Sequence, residues 1–107
     1  MARYAMIWKI RPEMKEEYKK DHDNIWPDMA KAIKEAGYRN YSIYFRKDGT
    51  MFAYLEHDDL EKGGKIMRGT EVNARWQKAM AKYFVNSDPA IVGPEIEMIE
   101  EVFHIDW

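Results

Sequence analysis

The chain of 107 residues contains no cysteine, which excludes a disulfide framework and removes the thiolate ligands of a structural zinc site. A reducing, cytoplasmic location is the matching expectation. Charge of one sign is lacking too: 17 basic residues face 19 acidic ones, for a net charge of -2. No basic surplus is left to grip nucleic acid or an anionic membrane, so neither is expected as a partner. No apolar run reaches the roughly 18 residues that span a bilayer. The opening MARYAMIWKIRP has neither the apolar core nor the small-residue cleavage site of a secretory signal, and none is expected. Nucleotide-dependent chemistry is not expected either, because there is no Walker loop, dinucleotide fingerprint, serine elbow or zincin helix.

What remains describes one domain over residues 1–107. Aromatic residues make up 14% of it, with four Trp and seven Tyr, a heavy share for so small a core. Residues 3 to 10 alternate, with Tyr4, Met6, Trp8 and Ile10 on one side and Ala5 and Ile7 on the other, the period of a strand. Pro12 followed by Glu13, Glu16 and Glu17 opens a helix expected to run to about Asn24, with acids at the positive end of its dipole. Pro27 ends or kinks that helix and opens a second piece, Asp28 to Ala36, closed by Gly37. Period two returns from Tyr38 through Tyr41, Ile43 and Phe45, and Asp48-Gly49 marks a hairpin into a strand from Met51 to His57.

The charged segment from Asp58 to Gly69, with Gly63-Gly64 in its middle, reads as a short helical turn or a mobile loop. Thr70 caps a helix to about Phe84, with Val72, Trp76, Met80 and Tyr83 along its inner face. Residues 86 to 95 read as a loop, and a last strand is expected from Ile96 to about Ile105. The order β-α-β-β-α-β gives the fold class: α+β, a ferredoxin-like four-stranded antiparallel sheet with helices on one face. Apolar and aromatic groups on both strand faces, Trp8, Tyr44 and Phe103 among those assigned to sheet surfaces, leave the second face to be covered. A second copy of the chain is the simplest cover, so a homodimer with a dimeric α/β-barrel assembly is expected.

The stretch from Tyr18 to Pro27 carries the most chemistry. Helical side chains four apart share a face, so Tyr18 and His22 are neighbours, and Trp26 lies near that face where the helix ends. Histidine both gives and takes a proton near neutral pH, and a phenol can orient a hydroxyl or relay a proton. The same spacing equally describes core aromatics beside a surface histidine flanked by Asp21 and Asp23. Trp76 and Gln77 form a second candidate, an indole that can stack on a sugar's C–H face beside an amide that donates and accepts, although Trp76 with Val72 and Met80 is also a plain core stripe. Tyr41 can reach the same space from its strand. His57 and His104 read as solvated strand ends and Glu95, Glu97, Glu100 and Glu101 as a solvated edge, so no metal site is expected.

These residues resemble those of the L-rhamnose mutarotase family over nearly the whole chain. The matching stretches are Glu16-Glu17-Tyr18 with His22, Ile25-Trp26-Pro27, Asn40-Tyr41, Ile43-Tyr44, Thr70, Val72, Arg75-Trp76, Lys78 and Glu101-Val102-Phe103. The resemblance implies a dimeric ferredoxin-like enzyme without metal or cofactor that epimerises a monosaccharide at its anomeric centre. It makes His22 the proton donor, with Tyr18, Tyr41, Trp76 and position 77 on the sugar and Trp26 a further pocket candidate. Either Tyr18 or a water would assist at the anomeric hydroxyl. Position 77 is often a second tryptophan in the family and here is Gln77, and Asn24 stands where proline is common. A haem-degrading or cofactor-free monooxygenase of the same dimeric fold, and a sugar-binding module without turnover, are the rival readings.

Overall fold

Alternating side chains need a partner strand, and the first segment finds two. The computed structural model describes residues 2–106, and in it β1 (Ala2–Lys9) lies between β3 (Thr50–His57) and β4 (Glu97–Ile99), while β2 (Arg39–Phe45) pairs with β3 at the edge. All pairings are antiparallel, in the order β2-β3-β1-β4, as the ferredoxin-like plan requires. Trp8 stands opposite Met51, Met6 opposite Ala53 and Tyr4 opposite Leu55. One face of the sheet therefore carries Met6, Trp8, Met51, Ala53 and Leu55, all buried beneath the helices. The expectation that Trp8 serves an outer surface is corrected: it follows Met6 and Ile10 inward.

The helices end where the sequence makes them end. A short 3₁₀ turn at Pro12–Met14 leads into α1 (Lys15–Asp23), and α2 (Pro27–Glu35) starts at proline, whose fixed φ suits a first helical turn. Gly37 then takes a φ of +93° behind α2, the left-handed conformation glycine adopts without penalty. Asp59 accepts from the Lys62 amide to cap α3 (Leu60–Arg68), and Thr70 accepts from the Asn73 amide to cap α4 (Glu71–Met80), which tightens into a 3₁₀ turn at Ala81–Tyr83.

The short helical turn or mobile loop expected from Asp58 to Gly69 is a full nine-residue helix. Its paired glycines look like breakers, but Gly63 is in the helix because a side chain would not fit: a Cβ there would lie 2.3 Å from His57 Nε2. His57 is correspondingly no solvated strand end. It is buried, its Nε2–H donates to the Ala36 carbonyl at 2.6 Å, and its Nδ1 accepts from the Asp59 amide at 2.8 Å. Both ring nitrogens are spent on joining β3, α2 and α3.

The last strand is also shorter than its pattern. Only Glu97–Ile99 pair with β1, and residues 100–106 run on without regular structure, leaving Val102 88% and Phe103 77% exposed. Alternation supplies a strand's faces but not its hydrogen-bonding neighbour. Where the ladder would continue, Arg3 and Glu101 instead meet through side chains, with two guanidinium–carboxylate bonds at 2.9 and 3.0 Å. Glu95 is engaged as well, accepting from the Ser87 amide and hydroxyl. No helix among the described residues is long and apolar enough to cross a membrane.

Candidate active site

Between the buried face of the sheet and the helices opens a cavity of about 750 Å³, within the usual range for small-molecule sites. Its wall is mostly apolar and includes Met6, Met29, Met67, Met80 and Met98, flexible side chains that adapt to a ligand's outline. Into this wall the elements project Tyr18 and His22 from α1, Tyr41 from β2, and Trp76 and Gln77 from α4. Five residues proposed from separate stretches of sequence thus line one space.

The rings interlock. One helical turn apart on α1, the Tyr18 and His22 rings stack with centroids 4.3 Å apart. The Trp76 indole meets His22 edge-on at 5.3 Å, so the imidazole is held between a phenol and an indole. His22 Nδ1 lies 2.9 Å from the Tyr18 carbonyl, which can only accept, so Nδ1 carries the hydrogen and Nε2 is the nitrogen left to exchange a proton. Burial lowers the His22 pKa from its ordinary 6.5; the Tyr18 carbonyl and the charges of Asp21 and Asp23 oppose this without reversing it. The Tyr18 phenol is driven well upward, chiefly by burial, and that of Tyr41 is pushed up to about 12 for the same reason. Both stay protonated at neutral pH, as hydrogen-bond donors rather than phenolates.

Trp26 is set differently. The α1 helix stops at Asp23, and Trp26 takes extended dihedrals ahead of α2, so the helical spacing that aligned it with Tyr18 and His22 does not reach it. Its indole packs edge-on against Trp76 at 5.1 Å, with the Arg75 guanidinium 5.5 Å above the ring and bound to Asp28 at 3.0 Å. Trp26 lines a smaller recess that it shares with Trp76 and Met80, outside the main cavity. It stiffens the wall from behind. The end of α1 is fixed in turn by the Tyr83 hydroxyl, which donates to Asp21 at 2.5 Å.

Several lining residues went unread. Trp8 was assigned to the wrong face although its alternation with Met6 and Ile10 carried the signal. Tyr38, which a strict period of two puts with Tyr44 on the face opposite Tyr41 and Phe45, lines the cavity next to Tyr41 at 5.8 Å. The cause is a bulge between Arg39 and Ser42, centred on Asn40 at a φ of +48°; one extra residue changes which side chains share a face. Gly64, Met67 and Arg68 line the cavity from α3, and a short helical turn or mobile loop offers no helix face on which to place them.

The family model described as L-rhamnose mutarotase matches residues 3–105. A protein of Bacillus subtilis named L-rhamnose mutarotase is 44% identical over 108 residues, covering 99% of this chain and 100% of its own. The crystal structure of an L-rhamnose mutarotase from Formosa agariphila superposes with a TM-score of 0.82 at 28% identity, over 99% of this chain and 100% of that one. A dimeric ferredoxin-like protein from an uncultured marine organism shares the fold alone, with a TM-score of 0.64 at 14% identity over 99% of this chain and 100% of that one. With its full-length match and its ring-lined cavity, the chain belongs to the L-rhamnose mutarotase family.

Proposed function

We propose that this chain is an isomerase that interconverts the α and β anomers of L-rhamnose, or of a closely related pyranose, by acid–base opening and closing of the ring. The observation that carries this reading is the His22 imidazole, wedged between Tyr18 and Trp76 with Nδ1 committed to a backbone carbonyl, on the wall of a cavity of about 750 Å³. One nitrogen with one tautomer is what a proton shuttle needs. The protonated His22 gives its proton to the ring oxygen as the bond from that oxygen to the anomeric carbon breaks, and the anomeric hydroxyl loses its proton through the Tyr18 hydroxyl or a water. The open aldehyde turns about its first carbon–carbon bond. Closure on the other face returns the ring-oxygen proton to His22, while Tyr18 or the water hands a proton back to the aldehyde oxygen, which becomes the new anomeric hydroxyl. Because the Tyr18 phenol stays protonated, it relays a proton rather than taking one as a free phenolate.

Trp76 and Tyr41 are assigned to the sugar ring, and Gln77 to its hydroxyls. Acid–base catalysis supplies roughly 10² to 10⁴ in rate, enough for a reaction that already proceeds in water, so the proposal needs no metal or cofactor. The working unit is proposed to be a homodimer, with the cytoplasm as its location. The dimer is supported by Tyr44, 62% exposed, and Phe52, 39% exposed, on the sheet face away from the helices, and by the apolar tail carrying Val102, Phe103 and Ile105. Saturation-transfer NMR between the anomeric protons of L-rhamnose tests the activity. Enzyme-dependent exchange that is lost in a folded His22→Ala variant is the expected result. Line broadening without exchange would reduce the protein to a sugar-binding module.

A further inference from the structure

Among the described residues that line the cavity, Arg68 alone carries a permanent charge, and no carboxylate shares the wall with it. It is the last residue of α3, is exposed, and makes neither an ion pair nor a hydrogen bond with the other described residues. A guanidinium without a partner ordinarily extends into water. This one lies back over its own helix: a Cβ on Gly64, one turn earlier, would come within 3.1 Å of Arg68 Nη1. Gly64 lines the cavity too, and its missing side chain is what lets the guanidinium lie against the wall.

A row of phenols leads from His22 to this cation. Tyr18 stacks on His22 at 4.3 Å, Tyr41 acts electrostatically on Tyr18, and Tyr38 stands 5.8 Å from Tyr41. Burial raises the pKa of Tyr38, and the charge of Arg68 opposes that rise. Arg68 has no such influence on Tyr41, Tyr18 or His22, so His22 and Arg68 stand at the two ends of the row. A pyranose whose anomeric carbon and ring oxygen face His22 keeps its C5 methyl on that side, next to the ring oxygen, and turns C3 and C4 away. L-Rhamnose carries neighbouring hydroxyls on those two carbons, and a guanidinium presents its N–H groups as a fork from which two adjacent oxygens can accept. We infer that Arg68 is a substrate-binding residue that determines specificity, its guanidinium donating to the C3 and C4 hydroxyls of the pyranose, with Gly64 the positioning residue that keeps it at the wall. The inference rests on the mutarotase reading of the cavity and adds to it the end of the sugar that His22 does not touch.

Arg68→Gln removes the charge and the fork from an exposed position, where folding is expected to survive. In anomeric exchange of L-rhamnose its KM should rise about 5- to 30-fold with kcat within about twofold, the range for hydrogen bonds from a charged group partly in water. Arg68→Lys, a point charge without the fork, should recover only part of the loss. The 3-deoxy and 4-deoxy analogues should already bind weakly to the wild type and lose markedly less than rhamnose does on Arg68→Gln. Gly64→Ala should raise KM about 2- to 5-fold by displacing the guanidinium, and should add nothing to Arg68→Gln in the double variant. An unchanged KM in Arg68→Gln overturns the inference, as does a loss equal for rhamnose and both analogues. So does a hexuronate that binds more tightly than rhamnose, since the guanidinium would then serve an anion. A Gly64→Ala effect that adds in full to Arg68→Gln takes the positioning role from Gly64. Calorimetric titration reads binding without turnover and separates the two readings. Rhamnose binding that weakens in Arg68→Gln, without anomeric exchange in the wild type, would sink the mutarotase reading and leave this contact standing. Exchange in the wild type with binding unaltered by Arg68→Gln would do the reverse, and neither binding nor exchange would overturn both.

Discussion

The two faces of the sheet use similar residues for opposite ends. Toward the helices, Met6, Trp8, Met51, Ala53 and Leu55 are buried, and the aromatic rings beside them lock around His22. Away from the helices, Tyr44 and Phe52 lie open with ring centroids 6.5 Å apart, and the polar groups pair among themselves, Arg3 with Glu101 and both Tyr54 and Asn40 with Glu56. An aromatic on the inner face is placed by its neighbours before any ligand binds. One on the outer face has no such placement within a single chain. The contrast explains why a composition so rich in rings need not mean a large pocket: part of it builds a site and part of it offers a surface.

The sharpest way to break this division is to remove the imidazole at the centre of the inner site. His22→Ala should lower anomeric exchange by roughly 10²- to 10⁴-fold, the span of general acid–base catalysis, with circular dichroism and melting near wild type because the ring is only partly buried. Retained activity would move the chemistry elsewhere on the cavity wall. A second inner-face change should act on stability instead. Gly63→Ala would push a methyl group to within 2.3 Å of His57 Nε2 and 3.0 Å of the Ala36 carbonyl. Overpacking together with a strained buried hydrogen bond should cost about 2–4 kcal/mol, read from denaturant midpoints. The same substitution at Gly64, whose nearest neighbour is the end of the Arg68 side chain at 3.1 Å, should be mild by comparison.

The outer face should answer in association rather than in chemistry. Tyr44→Glu combined with Phe52→Glu places two charges on the surface proposed to meet a second copy, where apolar contact is the expected cement. Light scattering should then report a species of 12.8 kDa in place of one twice that mass. A wild-type protein already monomeric would remove the outer face from the argument altogether.

What the sequence disclosed follows the same division. The α1 turn from Tyr18 to His22 was legible because helical spacing and chemistry coincide there, and Trp76 was legible because Thr70 announces its helix. Trp26 was less so: its spacing from His22 is helical in sequence, but Pro27 had already ended the helix that would make the spacing count. Gly63 reads as a breaker until His57 is seen beneath it, a contact between residues that only the fold brings together. Trp8 and Tyr38 turn on which face of a strand looks inward. Alternation identifies two faces without naming either, and the bulge at Asn40 is invisible to a period of two. The apolar alternation of residues 100–105 went furthest astray, since a strand also needs a neighbour's backbone.

The smallest effect expected is a pH dependence, and it separates the faces by sign as well as by size. Burial in the cavity is the largest influence on His22 and lowers its pKa from 6.5. If the protonated imidazole opens the ring, the active form disappears as pH rises through that lowered pKa, so kcat/KM should fall by up to tenfold per pH unit above a midpoint below 6.5, then level off where uncharged water takes over. A profile that rises through the same midpoint would make neutral His22 the initial base, with the proton first leaving the anomeric hydroxyl. Widening the cavity with Met80→Ala should admit water beside the ring and bring the midpoint back toward 6.5, because desolvation is what lowered it. The double substitution on the outer face should leave the midpoint where it was, since none of the groups that shift His22 lies on that side of the sheet. A midpoint that moved with Tyr44 and Phe52 would mean that the second copy completes the cavity, and the two faces would no longer be independent.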